Sequence, residues 1–188
     1  TTDNGSSFDN ATNSNASILL GVTFGNNTFV GVGVSGNIVR STDNGSSWDN
    51  ATSPTDTDLF GITFGNNTFV AAGADGKIVR STDNGSSFDN ATSSTGTTLY
   101  GVTFGNNTFV GVGQSGSIVR STDNGSSFDN VTSPSTAYFY DVGFGNNTFV
   151  GVATGGYIIK STDNGTNWDN ATSAAVPSIS LFGVGFQE

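Results

Sequence analysis

A phrase of eight residues recurs along this chain every 40 residues, and this period limits the possible folds more than any other feature. It occurs as 41–48, 81–88, 121–128 and 161–168, and residues 1–8 are a close copy. The repeated aspartates are Asp3, Asp43, Asp83, Asp123 and Asp163. A unit of this size cannot bury a core alone and has to stack on its neighbours. We therefore predict that residues 1–188 form a single repeat domain.

Each unit predicts four short strands, A to D, joined by tight turns. In the second unit these strands are 59–64, 68–72, 77–81 and 87–92. Asn84-Gly85 lies between strands C and D, and Asn-Gly supplies the positive φ values that a two-residue hairpin loop needs. No segment shows helical periodicity. Four antiparallel strands per unit predict an all-β fold, a β-propeller of four-stranded blades, whereas a parallel β-solenoid has a shorter period.

The two ends of the chain contain parts of a further unit. We predict four complete blades and two flanking strands, at 18–52, 58–92, 98–132, 138–172, 6–12 (strand D) and 181–188 (strand A). Two extra residues interrupt the period near 174–180. Three arrangements stay open: a ring whose fifth blade is split or shared, a four-bladed ring with spare strands, and pairing of the spare strands with another molecule.

The repeated pattern Ser-x-Asp-x-Gly-x-x-Trp/Phe resembles the Asp-box, or BNR repeat, of propeller blades in sialidases and photosystem II assembly factor-like proteins. This resemblance covers nearly the whole chain, and it implies a folding element on the C–D hairpin, away from active sites. The aspartate can accept hydrogen bonds from its own turn, and the aromatic side chain can pack between blades. The residues predicted to have this structural role are Asp3, Asp43, Asp83, Asp123, Asp163, Trp48, Phe88, Phe128 and Trp168.

The composition argues against an enzyme. The chain contains no His and no Cys, and Glu188 is its only glutamate. The sialidase resemblance implies an arginine cluster with a tyrosine nucleophile, but arginine occurs once in each of the first three units, at Arg40, Arg80 and Arg120. Each Asp-Asn-Gly turn offers one carboxylate, whereas calcium takes about six to eight oxygen ligands. We therefore predict no catalytic residues, no metal site and no cofactor.

The basic residues have a simpler interpretation. With Asn44-Gly45 as the hairpin loop, Arg40 lies opposite Asp49 on the neighbouring strand. Opposite charges in such cross-strand positions stabilise a hairpin. The predicted pairs are Arg40–Asp49, Arg80–Asp89, Arg120–Asp129 and Lys160–Asp169.

One face of the predicted blades varies between units. The A–B and C–D turns are constant, while the B–C turns and the D–A crossovers differ in sequence. Because function resides on loops over a rigid scaffold, this face is a candidate for ligand contact. Its candidate residues are Asp56, Asp58, Gln114, Tyr138, Tyr140 and Tyr157. Drift under weak constraint is the alternative explanation.

Charge and sequons suggest partners and a location. A net charge of -10 argues against nucleic acid and anionic membranes as partners. Strand D is predicted to be the outer edge of each blade, and the candidate glycosylation sites on it are Asn10, Asn50, Asn90, Asn130 and Asn170. These sequons and the scarcity of lysine favour an extracellular or cell-surface location. We expect a secreted, non-enzymatic scaffold that self-assembles through its terminal strands, or alternatively a carbohydrate-binding module.

Overall fold

The computed structural model describes residues 12–13, 17–171 and 179–186, and these form four antiparallel sheets of one common design. Each sheet is a blade, and the chain is a β-propeller of four-stranded blades, as the sequence predicted. Blade 1 contains β2 (Leu19–Gly25), β3 (Thr28–Gly33), β4 (Ile38–Ser41) and β5 (Ser47–Asn50), with β1 (Thr12–Asn13) on its outer side. Blade 2 contains β6 (Leu59–Gly65), β7 (Thr68–Gly73), β8 (Ile78–Ser81) and β9 (Asp89–Asn90).

The other two blades repeat this order. Blade 3 contains β11 (Leu99–Gly105), β12 (Thr108–Gly113), β13 (Ile118–Ser121) and β14 (Ser127–Asn130), with β10 (Thr92–Ser93) outside it. Blade 4 contains β15 (Phe139–Gly145), β16 (Thr148–Ala153), β17 (Ile158–Ser161) and β18 (Asp169–Asn170). The B–C turns are short 3-10 segments at Val34–Gly36, Ala74–Gly76, Gln114–Gly116 and Thr154–Gly156.

The tight turns follow from asparagine and glycine. In the first A–B turn, Asn26 and Asn27 have φ values of 49° and 56°. In the first C–D turn, Asn44 and Gly45 have φ values of 58° and 84°. Left-handed values at both central residues define the loop whose twist matches a two-stranded hairpin. The predicted Asn-Gly hairpins are therefore present in this form.

The core lies between the blades. Val30, Val32 and Ile38 of blade 1 pack with Leu59 and Phe88 of blade 2 in one buried cluster. Equivalent clusters join blade 2 to blade 3 and blade 3 to blade 4. The strands β2, β6, β11 and β15 lie side by side in sequence order, so each blade supplies one strand to the inner side of the arc. Each unit thus buries its apolar residues against its neighbour, as a stacked repeat requires.

The outer side of blades 1 to 3 differs from the prediction, whereas β18 is the outermost described strand of blade 4. The sequence placed strand D at the outer edge, but β14 pairs in parallel with β10, a segment that follows the preceding blade. β5 pairs in parallel with β1, and a single parallel bridge joins Thr52 to Ser87. A local pattern of alternating residues does not reveal such short parallel pairs, because they depend on where the next blade lies.

The flanking segments are described in part. Residues 6–11 lie outside the described residues, and Thr12 belongs to β1. Residues 179–186, which we call the tail, lie beside β15 in the place of a further innermost strand. They do not form the strand that was predicted over 181–188, of which 187–188 are not described. The Val184 N–H of the tail donates to the Asp141 side chain, Oδ2, at 2.9 Å, in place of a backbone acceptor of β15.

The cross-strand register is the predicted one, but the charged groups have other partners. Arg40 lies opposite Asp49, and Lys160 lies opposite Asp169. Arg40 Nη1, however, donates to Ser86 Oγ of blade 2 at 2.7 Å. Arg120 Nε donates to the carbonyl oxygen of Asn164 in blade 4 at 2.7 Å. These guanidinium groups therefore contact the next blade, which register within one hairpin could not predict.

Candidate functional site

The repeated aspartate holds its own hairpin together. We call residues 41–48 and their equivalents the aspartate hairpin. Asp43 Oδ1 accepts hydrogen bonds from Ser41 Oγ at 2.7 Å and from the Ser47 backbone N–H at 2.9 Å. Asp43 Oδ2 accepts from Ser47 Oγ at 2.6 Å. Ser41 Oγ in turn accepts a hydrogen bond from the Gly45 N–H at 2.9 Å. The carboxylate and this hydroxyl therefore join both strands of the hairpin to its turn.

These hydrogen bonds favour the ionised carboxylate. The hydroxyl and the backbone N–H of Ser47 lower the pKa of Asp43 to about 2. The N–H and the side-chain amide of Asn167 lower the pKa of Asp163 to about 2. Partial burial raises the pKa of Asp123, but hydrogen bonds from Ser127 outweigh it and bring the pKa to about 2. The pKa of Asp83 is lowered by the same balance. Asp3 lies outside the described residues.

The aromatic residue of the aspartate hairpin packs between blades in three of the four described copies. Phe88, Phe128 and Trp168 are buried, with exposed fractions of 3%, 1% and 6%. Each belongs to a cluster with valine and isoleucine of the preceding blade. Trp48 of blade 1 is only half-buried. Blade 1 has no described preceding blade to pack against. Other residues on the same side of blade 1 are also more exposed than their equivalents in the later blades.

Three contacts recur at each junction between blades. The first is a hydrogen bond from the asparagine of an aspartate hairpin to the threonine that begins the second strand of the preceding blade. Asn84 Nδ2 donates to Thr28 Oγ1, Asn124 to Thr68 and Asn164 to Thr108, each at 2.7 Å.

The second contact is close packing against the hairpin glycine. A Cβ on Gly85 would lie 2.7 Å from Cγ2 of Val30, and a Cβ on Gly125 would lie 2.8 Å from Cγ2 of Val70. The third contact places a phenylalanine ring over a glycine of the preceding blade. The pairs are Phe64 on Gly25, Phe104 on Gly65 and Phe144 on Gly105.

Blade 1 presents one half of such a junction with no described blade beside it, and we call this surface the leading flank. It consists of Leu19, Val22, Phe24, Asn44, Gly45 and Trp48. Leu19 is 39% exposed, whereas Leu59, Leu99 and Phe139 at the same position are fully buried. Val22 is 63% exposed, against 8% for Val102 and 3% for Val142. A Cβ on Gly45 would meet nothing within 4 Å.

Blade 4 presents the complementary half, which we call the trailing flank. It consists of Gly145, Thr148, Val150, Ile158 and Lys160. Thr148 and Val150 are partly exposed, whereas their equivalents Thr28 and Val30 in blade 1 are buried. The tail covers one part of this flank, because the ring of Phe186 lies on Gly145.

The B–C turns and the D–A crossovers lie together at one edge of the blades, as predicted for the variable face. Backbone hydrogen bonds join the turns to the crossovers. The Val34 N–H donates to the carbonyl of Ile18, and the Ala74 N–H donates to the carbonyl of Asp58. Asp58 Oδ1 also accepts from the Ser35 N–H at 2.8 Å, so Asp58 lies at the junction of blades 1 and 2.

Two of the candidate ligand residues, Gln114 and Tyr140, both contact Tyr100, which was not among the candidates. Gln114 Nε2 donates to the Tyr100 hydroxyl at 2.8 Å, and the ring of Tyr140 lies 5.7 Å from that of Tyr100. Asp56, Tyr138 and Tyr157 are exposed at other points of the face. The Tyr138 N–H is held by Thr154 Oγ1 at 3.2 Å.

An aromatic ladder crosses the variable face, and sequence reasoning missed it. Ring centroids are 5.4 Å apart between Phe60 and Tyr100, 5.7 Å between Tyr100 and Tyr140, and 4.7 Å between Tyr140 and Phe182. Phe60, Tyr100 and Tyr140 occupy the second position of β6, β11 and β15, and Phe182 follows Leu181 in the tail. An aromatic residue at the same place in successive units was the signal that could have identified the ladder.

The predicted glycosylation positions lie on the outer strands. Asn50, Asn90, Asn130 and Asn170 are all exposed. Asn130 Nδ2 donates to the Ser94 carbonyl at 3.0 Å. Asn10 lies outside the described residues.

No group of three or more histidine, cysteine or acidic side chains comes together within the described part of the chain. A polar cavity of about 360 Å³ lies beside Arg120, Asp123 and Asp129, and its lining also includes Ser127, Asn130, Val131 and three threonines. Over the same residues, no helix has the length and apolar character needed to cross a bilayer.

Solved structures resemble this chain in fold. YCF48 bound to D1 peptide has a TM-score of 0.70 and 16% identity, over 90% of this chain and 58% of that chain. The WD40 β-propeller domain of Doa1 has a TM-score of 0.65 and 10% identity, over 88% and 58%. An ancestral GH74 enzyme has a TM-score of 0.68 and 22% identity, over 84% and 24%. No family model matches the sequence, and no curated protein matches it significantly.

These likenesses identify the class of fold, which is the β-propeller. The chain spans 58% of the YCF48 and Doa1 chains and 24% of the GH74 enzyme. Four blades therefore correspond to an arc of those larger molecules.

Proposed function

We propose that this chain is a non-enzymatic scaffold whose copies associate through their open ends. The observation that carries the proposal is the exposure of the leading flank. Leu19 is 39% exposed where the other blades bury the equivalent residue, and Val22 is 63% exposed where Val102 and Val142 are buried and Ile62 is partly buried. A cluster of exposed apolar side chains marks an interaction surface on a soluble protein.

The absence of histidine and cysteine supports the non-enzymatic part of the proposal. The repeated carboxylates engage hydroxyl and N–H groups of their own hairpins, which leaves them unsuited to act as general bases. The structural role of the aspartate hairpin, its relation to the Asp-box and an extracellular location belong to the same proposal.

Sedimentation velocity over a concentration series tests the association. We expect wild-type protein to form oligomers at rising concentration, and Val22→Asp to weaken them at least tenfold, because a carboxylate would be buried in an apolar contact. Tyr157→Asp is the matched control, since Tyr157 is 50% exposed on another face. A wild type that stays monomeric up to high concentration contradicts the proposal, as does equal weakening by both substitutions.

A second candidate function is carbohydrate binding on the variable face. The aromatic ladder favours it, because sugar rings pack on aromatic side chains, Phe60, Tyr100 and Tyr140 are partly exposed, and Gln114 adds a polar group beside Tyr100. YCF48 was solved with a peptide bound, so a peptide is the competing ligand for this face. Binding to a glycan array that Tyr140→Ala abolishes supports this candidate, and an array without signal rejects it.

A further inference from the structure

We propose that a second copy of this chain docks its leading flank on the trailing flank of the first, in the position that a fifth blade would take. This inference rests on the proposed self-association and adds its geometry. The partner is argued from the repeat itself, because the junctions between blades inside the chain already show which surface the leading flank fits.

The unmatched halves of the recurring contacts lie on opposite ends of the molecule. Asn44 is exposed, and its equivalents Asn84, Asn124 and Asn164 bond to a threonine of the preceding blade. Thr148 is the threonine of blade 4, the last described blade. Docking of a second copy brings Asn44 Nδ2 to Thr148 Oγ1 and Gly45 to Val150, which are the first two junction contacts.

The polar group at the edge of the trailing flank fits the same arrangement. Arg120 Nε donates to the carbonyl oxygen of Asn164 across the junction of blades 3 and 4. Lys160 holds the equivalent place in blade 4 and is exposed. In the docked pair its ammonium group lies beside the carbonyl of Asn44 from the second copy. The leading flank contains no charged residue, so docking buries no like charges against each other.

The tail competes for part of this position. Phe186 lies on Gly145, which is the place that Phe24 of a second copy requires. The Val184 N–H donates to Asp141 Oδ2 at 2.9 Å, and the Leu181 N–H donates to the Ala153 carbonyl at 3.1 Å. A second copy therefore has to displace the tail from β15.

The tail fills this position less completely than a blade does. Phe182 is 70% exposed and Phe186 is 43% exposed. Leu181 of the tail is partly exposed, whereas the first residues of the later innermost strands, Leu59, Leu99 and Phe139, are fully buried. A docked blade 1 buries more apolar surface than the tail, and burial of apolar surface is the main favourable term in association.

The size of the arc indicates how many copies complete the assembly. Four blades match 58% of the YCF48 and Doa1 chains, so two arcs supply enough blades to close a ring. Each copy then contributes one leading and one trailing flank, and no flank stays open. The closed pair has a mass of 38.2 kDa, which is twice 19.1 kDa.

Crosslinking through introduced cysteines tests the geometry, because the chain has no cysteine of its own. Asn44→Cys and Thr148→Cys are made in separate chains, mixed, and treated with a short bismaleimide reagent. We expect a covalent heterodimer from the mixture and little dimer from either variant alone. The pair Asn84→Cys and Thr28→Cys within one chain is the positive control, because these side chains are bonded at 2.7 Å.

Phe186→Asp tests the competition by the tail. Phe186 lies near the chain end and is 43% exposed, so the substitution leaves the blades folded. We expect the dissociation constant of the dimer to fall at least threefold, and Val22→Asp to reverse this gain. Ile179→Asp is the control for an added charge on the tail, since Ile179 is 52% exposed.

The outcomes separate the inference from the proposed function. Oligomers that Val22→Asp weakens, without crosslinking between positions 44 and 148, overturn the docking geometry and leave self-association in place. A Phe186→Asp variant that dimerises less than wild type overturns the displacement of the tail. A protein that stays monomeric in every variant overturns both.

Discussion

Single hydroxyl groups hold the aspartate hairpin, and Ser121 is the clearest case. Ser121 is 2% exposed, its Oγ donates to Asp123 Oδ1 at 2.7 Å, and it accepts from the Gly125 N–H at 2.9 Å. Its buried side chain therefore links the exposed carboxylate of Asp123 to the buried N–H of Gly125. The same serine recurs as Ser41, Ser81 and Ser161.

Ser121→Ala is expected to reduce the free energy of unfolding by about 1–3 kcal/mol, because it leaves a buried N–H without its partner. Denaturant unfolding measures this change. Ser126→Ala, in the same hairpin, is the matched control, since Ser126 is exposed and is expected to change stability by less than about 0.5 kcal/mol. An equal effect of both substitutions contradicts the buried role of Ser121.

The lowered pKa values of the aspartates predict acid sensitivity. Asp43, Asp123 and Asp163 have folded pKa values of about 2, below the ordinary value of 3.8. A carboxyl group with a depressed folded pKa stabilises the fold above its unfolded pKa, and this contribution is lost as pH falls through the folded pKa. We expect the melting temperature to fall between about pH 4 and pH 2. A melting temperature that is constant over this window contradicts the prediction.

At the scale of elements, the hairpins and their register could be predicted from the sequence, because they depend on local chemistry. Asn-Gly and Asn-Asn turns fix left-handed residues, so the hairpins and the Arg40–Asp49 register could be predicted from residue types alone. The four-stranded blades followed from these turns and the 40-residue period. The structural role assigned to the aspartate hairpins stays a prediction, which Ser121→Ala addresses.

Features that depend on the neighbouring blade could not be predicted in this way. Arg40 contacts Ser86 of blade 2, and β10 pairs in parallel with β14 of the next blade. Both contacts join residues that are distant in sequence and depend on the angle between blades. The irregular tail also depends on a contact between residues that are distant in sequence. Asp141 stands where the other innermost strands have glycine, and its carboxylate accepts a hydrogen bond from the Val184 N–H.

At the scale of the whole molecule, the charge opposes association while the flanks favour it. The net charge is -10, so two copies that meet carry -20 between them. The leading flank itself is uncharged, and only Lys160 contributes a charge to the trailing flank. The electrostatic term is therefore a general repulsion between copies and contains little specific attraction.

Screening should for this reason strengthen the association. The Debye length falls from about 30 Å at 0.01 M salt to about 8 Å at 0.15 M. We expect the dissociation constant of the dimer to fall severalfold between these two sodium chloride concentrations, as measured by sedimentation velocity. Val22→Asp is the control, because a protein that does not dimerise through the leading flank shows no such change. Weaker association at higher salt would mean that opposite charges join the copies, and it would place the contact on a different surface from the two flanks.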